Sequence, residues 1–263
     1  MDRTSKNRLM MSVCLSLVTV ALTGVLFNRL SAEDKKEPPV VKVVAPFGIV
    51  RGTTTTVVVR GLRLSEVTEL RFPDLKTAPV FKIKTKGAAG ADKVPVSMGG
   101  NTQIEVELTL ATDARLGATP VIAIGPNGAS EARQVLILDP EKTVPEKEPN
   151  DGFAQAQEIT LGQTITGALA TNQKTDVFRF MGTAGQKIKI TALATKFGSP
   201  LDPFLMLHNA DGQLLAEIDD HLELADPVLE FTLKKDGPYF LTIMDAHDLS
   251  SPVHAYVLLT QVP

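Results

Sequence analysis

The chain has no tryptophan, two tyrosines and a single cysteine in 263 residues. So few large aromatics exclude the stacked platforms on which proteins hold single-stranded nucleic acid. The cysteine, Cys14, lies inside an N-terminal apolar run, so the folded part has no disulfide to form and must rely on its cores. Positive charge is also short. The formal net charge is −3, and the chain is more acidic once the first 32 residues, with Arg3, Lys6, Arg8 and Arg29, are set aside. Beyond the alternation Lys82-Ile83-Lys84-Thr85-Lys86, which reads as the wet face of a strand, no basic stripe could displace counterions from phosphates. No nucleic-acid partner is expected.

Catalytic signatures are missing as well. His208, His221, His247 and His254 are scattered, with no His-Glu-x-x-His helix and no cysteine partners, so the spacing of a zinc site is absent. There is no Gly-x-Ser-x-Gly turn, and Gly87-Ala88-Ala89-Gly90 leads into neither Lys-Ser/Thr nor a helical pattern. The polar strings Asp219-Asp220-His221 and Asp245-Ala246-His247-Asp248 read as loop polarity. A non-enzyme is the expectation.

What the chain does have is 17 prolines and 19 glycines punctuating short apolar runs, in a composition that is 43% hydrophobic. Many short runs between breakers predict an all-β protein. The first 32 residues form a separate unit. Arg3, Lys6 and Arg8 precede an uncharged stretch over residues 9–27, LMMSVCLSLVTVALTGVLF, followed by Glu33 and Asp34. That layout predicts a secretory signal, cleaved near Leu30-Ser31-Ala32, or an uncleaved membrane anchor with the remainder outside. Met11-Ser12-Val13 has no small residue next to Cys14, which argues against lipidation. A secreted, periplasmic or cell-surface location follows, with membrane contact only through residues 9–27.

Residues 33–39, EDKKEPP, are charged and proline-rich and read as a linker. From 40 to 138 come seven β-branched runs, VVKVVA, TTTTVVVR, VTELRF, PVFKIK, QIEVELTL, PVIAIG and RQVLIL. Seven strands in about a hundred residues have the size of an immunoglobulin-like sandwich. Gln103–Leu110 alternates, with Ile104, Val106, Leu108 and Leu110 on one face and Glu105, Glu107 and Thr109 on the other. Pro46-Phe47-Gly48, Arg51-Gly52, Gly61-Leu62-Arg63-Leu64 and the later Gly125-Pro126-Asn127-Gly128 resemble the IPT/TIG immunoglobulin-like domains. The resemblance implies a fold and a spacer or interaction role, without chemistry; turn requirements alone explain the same glycines and prolines equally well.

Residues 139–147, DPEKTVPEK, read as a second linker, and 148–263 as a second sandwich. Here the order Glu148-Pro149-Asn150-Asp151, Phe153 to Gln157, Ile165-Thr166-Gly167, Asp176-Val177-Phe178-Arg179-Phe180 and Ala184-Gly185-Gln186 is maintained. It continues through Leu201-Asp202-Pro203-Phe204, Asn209-Ala210-Asp211-Gly212 and Asp236-Gly237-Pro238-Tyr239 to a last strand at Tyr256. This closely resembles the bacterial pre-peptidase C-terminal (PPC) domain, a small antiparallel jelly-roll sandwich similar to clostridial collagen-binding domains. Glu146, Glu148, Asn150 and Asp151 place four oxygen-bearing side chains within six residues, and calcium takes six to eight oxygens at flexible geometry. The resemblance implies that these four, with Asp176 before Phe178, are calcium ligands. Asn172 and Gln173 stand where relatives usually carry another acid. The competing reading is that Asn150 or Asp151 caps a short helical turn around Phe153–Gln157. Asp202, Asp211, Asp219 and Asp220 read as turn residues, with Asn209–Gly212 a hairpin signal. Together these readings predict an exported, calcium-stabilised binding or assembly module that grips an extracellular polymer or an envelope protein. The alternative is an accessory-domain protein of a secreted peptidase or other hydrolase.

Overall fold

The structure is a computed structural model and describes residues 37–90, 92, 94–170, 174–220 and 225–263. These residues belong to one compact unit, Lys36–Pro263. The signal or anchor segment lies outside the described residues, as do Asn172, Gln173 and His221. Among the described residues no helix is long and apolar enough to cross a membrane.

The protein is all-β, and the described strands form four sheets. The first runs β1 (Val40–Ala45), β3 (Thr54–Leu62), β6 (Thr102–Thr109), β5 (Val80–Ala88). It faces a sheet ordered β2 (Gly48–Val50), β9 (Arg133–Leu138), β7 (Gly117–Gly125), β4 (Glu69–Arg71), with β8 (Gly128–Ala129) hairpinned onto β7. The third runs β10 (Thr143–Pro145), β12 (Thr164–Ala168), β19 (Ala255–Gln261), β14 (Lys187–Leu193), β17 (Val228–Thr232). The fourth runs β11 (Gln157–Glu158), β13 (Thr175–Gly182), β18 (Gly237–Asp245), β15 (Pro203–His208), β16 (Leu214–Ile218). No described strand up to β9 pairs with one after it.

Alternation decides what each sheet buries. In β6, Ile104, Val106 and Leu108 are at most 1% exposed, and they join Val57, Val59 and Ile137 in the core between the first two sheets. Phe178, Phe180, Leu205, Leu241, Ile190 and Leu258 fill the core between the other two. The pairing is antiparallel except at three edges, β2 with β9, β10 with β12 and β11 with β13. Each exception is a two- or three-residue segment that crosses between sheets, too short to leave a period in the sequence. The stretch 139–147, expected as a linker, contributes β10, whose Thr143, Val144 and Pro145 pair with Thr164, Ile165 and Thr166.

A third apolar cluster joins the two sandwiches. Val43, Ala45, Phe47 and Leu138 from the first meet Phe197, Val253, Ala255 and Val257 from the second. Phe47 stacks parallel on Phe197 with ring centroids 4.9 Å apart. Gly48 permits this approach, since a Cβ there would lie 2.8 Å from Val257 Cγ2 and 3.2 Å from Thr166 Cγ2. The junction explains two otherwise irregular runs. VVKVVA sends Val41 and Val44 into its own core and Val43 and Ala45 into the junction. AYVLLT likewise sends Tyr256 and Leu258 inward and Ala255 and Val257 outward. Sheets covered on both faces call for continuous apolar strands rather than alternation. Near the junction Arg60, 2% exposed, bonds Asp92 Oδ2 at 2.6 Å, so its charge is paired. All three clusters are built between Val41 and Leu259, so Lys36–Pro263 contains its own described cores and is expected to fold without the residues before it.

Candidate cation site

Three elements of the second sandwich converge on one hydroxyl. Asp176 lies on β13 and is fully buried; Tyr256 lies on β19 and is 1% exposed; Glu146 follows β10. The backbone N–H of Glu146 donates to Thr166 O at 2.9 Å, and Glu146 Oε1 accepts from Ala168 N at 2.8 Å, which fixes the carboxyl beside β12. Its Oε2 lies 2.6 Å from the Tyr256 hydroxyl, and Asp176 Oδ2 lies 2.6 Å from the same oxygen. Gly167 makes the cradle: a Cβ there would stand 2.2 Å from Glu146 Oε2 and 2.3 Å from the tyrosine oxygen. Glycine is required here for space.

A tyrosine has one proton to donate. Two contacts of 2.6 Å to two carboxyls therefore need a further proton or a cation between them. Burial, and then the neighbouring charges of Glu146 and Glu148, push Asp176 up to about 9, against the bonding to Tyr256. At neutral pH without a metal the Asp176 carboxyl keeps its proton and donates to the tyrosine oxygen, while Tyr256 donates to Glu146. Burial and the same two carboxyls hold the Tyr256 hydroxyl well above the ordinary phenol range.

Asn150 is the fourth member. It is fully buried, its carbonyl accepts from Val177 N at 2.8 Å, and neither its Oδ1 nor its Nδ2 has a hydrogen-bond partner. Asp176 Oδ1 also lacks one. Buried polar atoms are nearly always satisfied, so such a pair marks a place where a ligand or water fits. Glu148 is exposed, accepts from Asn150 N at 3.1 Å, and is pushed up by partial burial and by nearby Glu146 and Asp151. Asp151 is exposed. The structure thus joins Glu146 and Asp176 through the Tyr256 hydroxyl, buries Asn150 with its backbone bonded to Val177, the neighbour of Asp176, and leaves Glu148 and Asp151 exposed. The capping alternative is not seen: the turn at Phe153–Gln155 starts at Gly152 without a side-chain cap. Tyr256 and Gly167 escaped notice as site residues. A lone tyrosine in an aliphatic strand opposite a glycine was the available signal, but Tyr256 and Glu146 meet across 110 positions.

The other polar groups singled out have local roles. Asn209 Oδ1 accepts from Asp211 N and Gln213 N, making the expected turn. Asp245 Oδ1 accepts from His247 N and Leu249 N, and His247 Nδ1 lies 3.3 Å from Asp202 Oδ2. Ser251 Oγ bonds His254 Nδ1 at 2.7 Å, with both residues at most 2% exposed, so that pair is sealed from substrate.

No family profile matches the chain. It is 28% identical, over 253 aligned positions, to a probable subtilase-type serine protease of Deinococcus radiodurans; the match takes in 84% of this chain and 33% of that protein. The chain therefore spans about a third of the length of the curated relative it matches. Among solved structures it is similar to the pre-peptidase C-terminal domain of a Bacillus anthracis collagenase, at 21% identity over 44% of this chain and 100% of that one, with a TM-score of 0.35. It is also similar to a Bacteroides ovatus SGBP-B of a mixed-linkage glucan utilization locus, at 11% identity over 82% and 70% of the two chains, with a TM-score of 0.25.

Proposed function

We propose that the chain is an exported, non-catalytic binding or assembly module in which calcium fastens the segment 146–150 to the second sandwich. The observation that carries this reading is the Tyr256 hydroxyl held between Glu146 and Asp176, together with the unpartnered Asp176 Oδ1 and the unpartnered, buried amide of Asn150, whose carbonyl bonds the neighbouring Val177 N. The donor set suits calcium in kind, being all oxygen with carboxylate charge. It is incomplete in number: among the described residues no three His, Cys, Asp or Glu side chains are grouped to hold a metal. Glu146 and Asp176 would supply the charge and Asn150 Oδ1 a neutral ligand. Glu148, main-chain oxygens and water would complete the shell, with Asp151 contributing only if its exposed side chain turned inward. Export rests on the basic-then-apolar order of the first 32 residues. The 40–138 sandwich, read as IPT/TIG-like, serves as spacer, and the ligand is an extracellular polymer or an envelope protein.

The peptidase relative supports a second reading, in which this chain corresponds to the accessory part of an exported protease system. Either way the chain itself has no hydrolase activity in this proposal, and the purified protein is expected to leave casein and gelatin uncut. Cleavage that co-purifies with it and is lost in His247→Ala would refute that.

The calcium reading is tested by thermal unfolding in calcium, magnesium and chelator. A ligand at a hundred times its dissociation constant raises native stability by roughly 2.7 kcal/mol. Calcium is expected to raise the melting temperature and to protect 139–147 from proteases. Magnesium substitutes poorly because it demands a tight octahedral shell. Glu146→Gln and Glu148→Ala should blunt the response, and Asp211→Ala, in its hairpin turn, should leave it intact. Identical curves in excess calcium and in chelator refute the reading.

A further inference from the structure

Where the two sandwiches meet they leave a cleft of about 280 Å³. Three prolines wall it: Pro46, which follows β1 in the first sandwich, and Pro145 and Pro252 of the second. Ala168 and Ala255 add apolar surface, and Glu146 is the one charged residue that lines it. Proline has no backbone N–H, so these walls offer few donors to an anion. Pro145 and Pro252 are exposed, so the cleft is open at its rim.

Glu146 has capacity left for a ligand. An ionised carboxylate offers about four acceptor positions. Ala168 N takes one on Oε1 at 2.8 Å, and the Tyr256 hydroxyl takes one on Oε2 at 2.6 Å. Both donors are neutral, and Glu146 takes part in none of the ion pairs between described residues. With Asp176 holding its proton, the negative charge at the Tyr256 hydroxyl rests on Glu146. Its side chain is half-buried, so that charge is within reach of the cleft. Any side chain at Gly167 would fall on Oε2, since a Cβ there would stand 2.2 Å away.

We infer that this cleft receives a lysine side chain presented by a partner protein, with its stem along the prolines and its ammonium on Glu146. The inference rests on the binding-module reading for its partner, but it does not need calcium. Size, charge and shape select the occupant. The volume falls below the roughly 300–1,000 Å³ of pockets that bury drug-sized ligands, so the cleft takes one side chain rather than a run of sugar rings. A lone carboxylate without a cation calls for positive charge. Apolar walls suit lysine, whose aliphatic stem packs on apolar surface while its head keeps polar company. Arginine fits less well. Its planar fork is best met by a carboxylate with both oxygens free, and here each oxygen already accepts a bond. The compact ammonium needs only the positions that remain. The open rim leaves the partner's main chain outside.

The test is an amide NMR titration of residues 36–263 with Nα-acetyl-lysine methylamide. It is run in chelator, so that a failure of the calcium reading, seen in thermal unfolding, is not mistaken for a failure of this one. One ion pair and a short apolar stem should give a dissociation constant of about 1–10 mM. Saturable shifts are expected at the amides of Gly167, Ala168 and Ala255. The probe acetylated on Nε, which has the stem but no charge, should cause none. Glu146→Gln keeps the side-chain shape and should weaken binding at least about tenfold. Pro252→Lys, at the exposed rim, supplies a lysine from the chain itself and should abolish probe binding while the rest of the spectrum is kept. The inference is overturned if no shift saturates by about 100 mM, or if the neutral probe does as well. Full binding by the Pro252→Lys variant overturns it too, and an arginine probe that binds as tightly overturns the choice of lysine.

Discussion

Replacing Asp176 by Asn tests the electrostatics of the site directly. In the unfolded chain the carboxyl titrates at its ordinary 3.8, whereas burial beside Glu146 pushes it up to about 9 in the native state. Between those values the native state keeps a proton that the unfolded chain has given up. Unfolding then releases a proton, so stability falls as pH rises through that window, at about 1.4 kcal/mol per pH unit. Accumulated from 3.8 up to neutrality, the difference is as much as about 4 kcal/mol. An asparagine carries no titrating proton, and its amide N–H can donate to the Tyr256 oxygen as the protonated carboxyl does. In chelator, Asp176→Asn is therefore expected to be more stable than the wild type at neutral pH, with a flatter profile. The assay is urea unfolding with chelator at several pH values from about 5 to 8, within the window where the slope applies. A variant less stable than the wild type at pH 7, or a wild-type profile flat over that range, would refute the reasoning. Calcium reverses the comparison in the proposed site, because the variant has lost a charged ligand.

Two further substitutions probe the junction. Gly48→Val sets branched carbons against Val257, Leu138 and Thr166, at an overpacking cost of about 1–3 kcal/mol. Calorimetry should then show two transitions where the wild type gives one, and a single unshifted transition would show that the sandwiches do not depend on this contact. Asp92→Ala strands the buried Arg60 guanidinium and is expected to cost about 3–5 kcal/mol in urea unfolding, against under 1 kcal/mol for Glu69→Ala, whose pair with Arg71 is exposed. Equal effects would show that Arg60 finds other partners.

Strand content was legible in the sequence, because Ile104 to Thr109 and its counterparts alternate and their bounding glycines and prolines leave few other structures open. Polar groups of the candidate site that lie close to one another in sequence were legible too, as Glu146 and Asn150 show. What alternation cannot carry is pairing at long range. The meeting of Tyr256 with Glu146, and of Phe47 with Phe197, depends on sheet order and docking, which local residue types do not encode. Asp151 shows the converse limit: nearness in sequence put it in the candidate site, but it lies in an irregular bend where Asn150 is buried and Asp151 is exposed. The edge pairings were hidden for a related reason. Two or three residues of β2, β10 or β11 are too few to show a period, and Thr143–Pro145 lies in a stretch whose charge and proline resemble free chain.

The junction also bears on the order in which the protein is made. Residues 40–138 leave the ribosome, and in an exported chain the membrane, before residues 139–263. Val43, Phe47 and Leu138 are thus available as a template while the later sandwich is still assembling. Docking onto it removes Phe197, Val253 and Val257 from solvent during the interval when exposed apolar surface leads to aggregation. A gene fragment cut between the two sandwiches would leave a greasy scar on each product, so the smallest cassette that can be transplanted intact is the pair.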